Sequence, residues 1–189
     1  MIYMKSPSGD IYGYDETQAE QQNLIDEAKR AGWQDITANW PPLPGLDEAK
    51  AAGLGELESA FNEASQKAHC MSSAGFEIDA DEIANRNIEG LVLVMQAGET
   101  TLFRAYDNSF HEVTREQLEI MRKEIVINSQ YLYQAKWTIE AQIMQAQTAQ
   151  AVADIDISAD TIAALADTLK AQAMEAANGE EGAGDAEAS

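Results

Sequence analysis

The sequence predicts a mostly helical α+β protein: a small N-terminal β-hairpin-helix module, then central helices with one two-stranded hairpin and a long helix, ending in a disordered acidic tail. Three observations carry that expectation. Alanine supplies 32 of the 189 residues, whereas Leu, Ile, Val and Phe together supply only 36, which favours long helices with thin cores. An apolar stripe at alternating spacings of three and four runs from Leu118 to Ile139. Short β-prone runs bounded by turn residues stand near the N-terminus and again around residues 101–113.

In chain order, Ile2-Tyr3-Met4 and Ile11-Tyr12-Gly13-Tyr14 flank the turn-forming Ser6-Pro7-Ser8-Gly9-Asp10. Asp15 or Thr17 is expected to cap a helix with Leu24, Ile25 and Ala28 on one face. Gly32 should stop it, and Trp33–Thr37 returns as a third strand. These elements make up a module over residues 1–40. Three of the four prolines then fall in Trp40-Pro41-Pro42-Leu43-Pro44-Gly45. Residues 41–46 read as a stiff linker with Trp40 tucked onto the first module, although a polyproline ligand for an aromatic groove has the same composition.

Residues 47–150 form the expected central domain. Leu54, Leu57 and Phe61 mark a helix over 47–67, weakened by Gly53 and Gly55. Gly75-Phe76-Glu77-Ile78 alternates like a strand, and Asp79 with Glu82 resembles a capping box. The helix that follows places Ala84, Ile88, Leu91, Val92 and Met95 on one face and ends at Gly98. Thr101–Tyr106 and Phe110–Val113 read as a hairpin turning at Asp107-Asn108, whose residue types tolerate a left-handed backbone.

Thr114 with Gln117 forms a second capping-box pair, opening a helix expected to reach about Gln150. Its stripe of Leu118, Met121, Ile125, Asn128, Leu132, Ala135 and Ile139 is either core, buried on the two preceding helices, or a seam for self-association or a partner helix, with Asn128 setting register. Ile120, Ile127 and Tyr131 form a second apolar face, and Tyr131, Tyr133 and Trp137 are aromatic anchors of the kind enriched at interface centres. Ile127, Tyr131, Tyr133, Trp137 and Trp40 are therefore the candidate partner-binding residues. Residues 151–177 carry a short helix capped by Ser158, with Ile162, Leu165 and Leu169 on one face. Residues 178–189 hold no basic or large apolar side chain and read as the acidic tail.

The chain carries 33 acidic and 12 basic side chains, a formal charge of -21, which argues against binding a phosphate backbone. No run of 18 apolar residues would span a membrane, and the first residues lack the pattern of a secretory signal. The lone Cys70 fits a reducing compartment.

Catalytic chemistry finds no foothold. His69 and Cys70 are adjacent and so project differently, with no third group to orient them, and His111 sits on a hairpin strand as a surface residue. Asp154, Asp156, Ser158 and Asp160 imitate a calcium loop, but Ala159 and Leu165 stand where it needs Gly and Glu. No nucleophile elbow, P-loop or dinucleotide fingerprint occurs. We expect no enzyme activity, no cofactor and no metal.

From about Leu57 to Gln150 the chain resembles an uncharacterised domain of bacteriophage and prophage tail proteins, found near tail-fibre genes and in tail-fibre assembly proteins. An Ala-rich helix leads to Gly75-Phe76-Glu77-Ile78-Asp79. Asn85-Arg86-Asn87-Ile88-Glu89-Gly90 follows inside a helix, then Phe103-Arg104-Ala105-Tyr106-Asp107-Asn108 and Val113-Thr114 at the start of the long helix. The family commonly has Trp where Phe103 stands, and it brings no catalytic residues. The resemblance implies a non-enzymatic assembly factor or chaperone that binds a tail-fibre or other tail protein in the bacterial host cytoplasm. A permanent virion tail component, with the long helix trimerising or docking onto the tail, is the alternative. An acidic mimic of DNA that inhibits a host protein is a third reading. Among the motif residues, Arg86 and Asn87 are expected to tie their helix to the hairpin, Asp107 and Asn108 to shape its turn, and Thr114 to cap the long helix.

Overall fold

The computed structural model describes residues 1–40 and 44–184. It is mostly helical α+β, as expected. The chain forms two compact units, Met1–Ala49 and Lys50–Ser189.

In the first unit, β1 (Ile2–Lys5) is the central strand of a three-stranded antiparallel sheet, between β2 (Ile11–Tyr14) and β3 (Gln34–Asp35). Helix α1 (Ala19–Arg30) buries Ile25 and Ala28, whereas Leu24 is exposed. Neither Asp15 nor Thr17 caps α1: Gln18 stands at that position and makes no side-chain bond to the helix. Asp15 instead shapes the preceding turn, its carboxylate accepting from the Thr17 amide (3.0 Å) and hydroxyl (2.7 Å). At the other end the Trp33 amide donates to the Ala28 carbonyl (3.0 Å) and Gly32 to Lys29 (3.1 Å), with Gly32 at φ +79°. This Schellman turn is the stop that the glycine forecasts. Trp40 stacks at a tilt on Tyr3, ring centroids 5.5 Å apart. Pro41, Pro42 and Leu43, the middle of the expected linker, lie outside the described residues.

The second unit is organised around the helix that Thr114 opens. Here α4 (Arg115–Gln145) starts with a complete capping box: Thr114 Oγ1 accepts from the Gln117 amide (3.2 Å), and Gln117 Oε1 accepts from the Thr114 amide (2.9 Å). The expected stripe is buried at every position from Leu118 to Ile139, and Ile143 extends it. It is core. The helix ends at Gln145, short of Gln150, because Thr148 caps a new short helix, α5 (Ala149–Ala153), through the Ala151 amide (3.1 Å).

Around the first half of α4 lie two small antiparallel hairpins and α3 (Glu82–Val94). One hairpin is β6 (Thr100–Arg104) with β7 (Phe110–Thr114), as expected. The other, β4 (His69–Met71) with β5 (Glu77–Asp79), adds a pair that the sequence reading leaves out, since it assigns no strand to His69–Met71. Cys70, Ile78, Ile88 and Val113 close on Leu118, Met121 and Ile125 to form this core. Asp81, not Asp79, caps α3, its Oδ1 accepting from the Ala84 amide (2.6 Å). Asp79 is held in β5 and is not free to cap.

Against the second half of α4, α2 (Leu46–Gln66) runs antiparallel, with Leu57, Phe61 and Ala64 buried. Lys50 Nζ donates to the Met144 carbonyl (2.6 Å), Lys136 pairs with Glu58, and the Phe61 ring lies 4.8 Å from that of Tyr133. Gly53 lets the chain come close: a Cβ there would sit 3.2 Å from Val152 Cγ1. The last helix, α6 (Ala159–Gly184), packs along α4 within the same unit and buries Ile162 and Ala166. Ser158 begins it by accepting from the Thr161 amide (3.2 Å). Its backbone continues past Ala177 into the segment assigned to the acidic tail, because alanine and glutamate there favour a helix already nucleated by packing. Residues 185–189 lie outside the described residues.

Candidate functional site

The buried stripe of α4 leaves the rest of its circumference for other work. Val126, Tyr133, Trp137 and Met144 recur at spacings of seven, four and seven, so they share one line along the helix. They are 46, 40, 54 and 54% exposed. Tyr133 is fixed by Phe61 on one side and by Trp137 on the other, ring centroids 5.9 Å apart. Lys136 lies 4.7 Å over the Phe61 ring. The aromatic end of this stripe is thus held in place before any partner arrives. At its other end Val126 and Ile127 join Val92, Glu119, Arg122 and Lys123 around a groove of about 620 Å³ between α3 and α4.

The structure separates the residues that the sequence reading groups. Ile127 reaches the α3 groove, and Tyr133 and Trp137 lie on the stripe. Tyr131 does not join them: five residues beyond Val126, it points about 140° round the helix and is half-buried. Trp40 belongs to the first unit and packs on Tyr3. Val126 and Met144 are the members the reading missed, although their spacing from Tyr133 and Trp137 is written in the sequence.

The motif residues divide in the same way. Asn108 adopts φ +68° in the β6–β7 turn, where its amide donates to the Ala105 carbonyl (2.9 Å). Asp107 accepts from the Ser109 hydroxyl (2.6 Å) and amide (2.8 Å), which hold its carboxyl below the usual range. Arg86 and Asn87 do not tie α3 to the hairpin. Both are exposed, and Arg86 pairs with Glu82 one turn back. The inward polar residue of this element is Asn85, whose Oδ1 is shut off from solvent and receives no hydrogen bond from a described residue. A one-turn shift of the cap to Asp81 does not produce that difference. It follows from the helix phase that Ile88 sets by burying its side chain.

A second concavity, of about 600 Å³, lies where α2 and the β4–β5 hairpin meet α4 and α6. His69 and Asp79 stand directly opposite each other across that hairpin. The His69 ring stacks on Tyr106 (4.3 Å, 20°), and its Nδ1 lies 2.6 Å from Glu77 Oε1. The Tyr106 amide donates to the Glu77 carbonyl (2.9 Å), which joins the two hairpins. Cys70 points the other way into the core, and burial pushes its thiol pKa up. His69 and Cys70 are therefore on opposite faces. His111 is more enclosed than a surface residue, stacked on Phe76 at 3.9 Å with Nε2 beside Ser109 Oγ (2.8 Å). Asp156 completes the start of α6 by accepting from Thr161 Oγ1 (2.6 Å) and the Ser158 amide (3.0 Å), which hold its carboxyl low. Among the described residues no group of three or more His, Cys, Asp and Glu is placed to hold a metal ion, and no helix is long and apolar enough to cross a membrane.

Residues 19–163 match the family model described as "Domain of unknown function (DUF4376)", and the chain belongs to that family. No curated protein and no solved structure matches it.

Proposed function

We propose that this member of the family is a non-enzymatic bacteriophage tail-associated protein that assists tail-fibre assembly by binding a fibre or tail protein. The phage context rests on the ordered sequence motifs from Gly75 to Thr114. The observation that carries a binding role is the exposed stripe Val126, Tyr133, Trp137 and Met144, continued by Ile127 into the α3–α4 groove. Pre-positioned aromatic residues lose little side-chain entropy when a partner covers them, which is why such residues anchor interfaces. A formal charge of -21 would keep a complex with an apolar partner dispersed.

Deleting 118–139 would test nothing, because those residues carry the core. The informative variant is Val126→Asp with Trp137→Ala, both at exposed positions. Co-expressed with the tail-fibre protein of the same phage, the wild-type chain should capture it, and the double variant should capture at least about tenfold less, with an unchanged circular dichroism spectrum. Equal capture by both chains would refute the assignment of this face. Mass spectrometry of purified particles against infected lysate separates an assembly factor, absent from particles, from a permanent tail component.

A further inference from the structure

We propose that the cleft between the β4–β5 hairpin, α4 and α6 is a binding site for an aliphatic polyamine. Asn128 is the observation that turns a hollow into a site. It is only 8% exposed, it lines the cleft, and its carboxamide hydrogen-bonds to no described residue. A buried carboxamide without a partner costs stability unless something supplies one. Asn128 therefore asks for a ligand with polar hydrogen atoms.

The charge around the cleft selects a cation. Asp79, Asp160 and Asp167 line it and form no ion pair with a described residue. Lys67 is the one base among the lining residues, and Glu63 already holds its ammonium at 2.6 Å. The layout selects an extended cation. Asp160 and Asp167 are two turns apart on α6, about 10.5 Å along its axis. Between them the lining is Ala163 and Ala166, with Leu132 and Ala64 opposite. A chain with ammonium groups separated by methylene runs can place a charge at each carboxylate, lay its apolar segments on the alanines, and donate to Asn128 Oδ1. Tyr106, on the opposite rim, offers a ring to the third ammonium. This inference is independent of the tail-fibre reading.

The test is titration of the full chain with spermidine in 150 mM NaCl, by calorimetry and by NMR of the Asn128 side-chain amide. An acidic protein gathers polyamines non-specifically, so two variants of equal charge are compared. Asp160→Asn with Asp167→Asn should weaken a saturable, one-site isotherm by about tenfold, whereas Asp26→Asn with Glu27→Gln on α1 should leave it unchanged. Asn128→Leu keeps the charge and should also lose about tenfold. A shift of the Asn128 amide that saturates with the isotherm supports the site. Equal weakening by both charge-removed pairs, a non-saturating isotherm, or a silent Asn128 amide would overturn it as diffuse counterion binding.

Discussion

Glu124 pins the β4–β5 turn to the long helix, and the pin should be measurable. Ser72 is buried and donates its hydroxyl to Glu124 Oε2 (2.7 Å), the Ser73 amide donates to Oε1 (2.9 Å), and the Ala74 amide donates to Ser72 Oγ (3.2 Å). Burial opposes the charged form of this carboxyl, but the bonds from Ser72 and Ser73 outweigh it and hold the pKa below the usual glutamate value. Hydrogen bonds to a charged group are worth about 1.5–3 kcal/mol, and less where one side meets water, so Glu124→Gln should cost about 1.5 kcal/mol at pH 7. For a chain of this size that is a fall in Tm of roughly 3–6 °C. Ser72→Ala should cost a similar amount, and the double variant about 1 kcal/mol less than the sum, because both remove one bond. Since the folded pKa lies below the unfolded one, the stabilisation is complete above the unfolded value of about 4.3 and is lost as pH falls through the folded value. Urea titrations at pH 7 and pH 3 check both parts: the gap between wild type and Glu124→Gln should close at the lower pH. Additive single variants, or a gap as wide at pH 3 as at pH 7, would refute the pin.

Two further measurements follow from single sites. Gly55 and Gly90 lie inside helices with open space where a Cβ would go, so Gly55→Ala and Gly90→Ala should each stabilise by about 0.5–1 kcal/mol in thermal melts. Gly53→Ala, facing Val152 at 3.2 Å, should fall short of that gain. The Cys70 thiol is buried and its pKa raised by desolvation, so a disulfide reagent at pH 8 should label the native chain at least about a hundredfold more slowly than the urea-unfolded chain. Equal rates would mean that the β4–β5 hairpin opens on the labelling timescale.

The elements legible in the sequence are those whose side chains act locally. The Thr114–Gln117 box, the Gly32 stop and the left-handed Asn108 each fix a backbone conformation within a few residues, and each forms as read. The α4 stripe was legible because burial along one helix must repeat near 3.6 residues, whatever covers it. Strand β4 was not. His69-Cys70-Met71 is too short to show alternation, and it becomes a strand only because Ile78 on β5 brings its backbone alongside. The α3 cap failed for a related reason: Asp79 and Asp81 are both good caps by type, and pairing with His69 takes Asp79 out of contention.

The candidate surfaces were harder to read because exposure is decided by neighbours. On α4 the sequence offers three apolar lines, and periodicity alone cannot say which of them are covered. Burial of the Leu118–Ile143 line leaves one flank to α6 and sets α2 beside Tyr133, so that Tyr133 is at once packed and presented. The same arrangement explains Asn128. In a seam between chains a buried asparagine would meet its symmetry mate and set register. Here Leu132 and the small residues Ala163 and Ala166 surround it, and a carboxamide placed opposite alanines has no partner within its own chain. Three nearby aspartates are not donors and cannot satisfy its oxygen. The cleft is therefore complete only when a molecule rich in N–H donors and positive charge enters it.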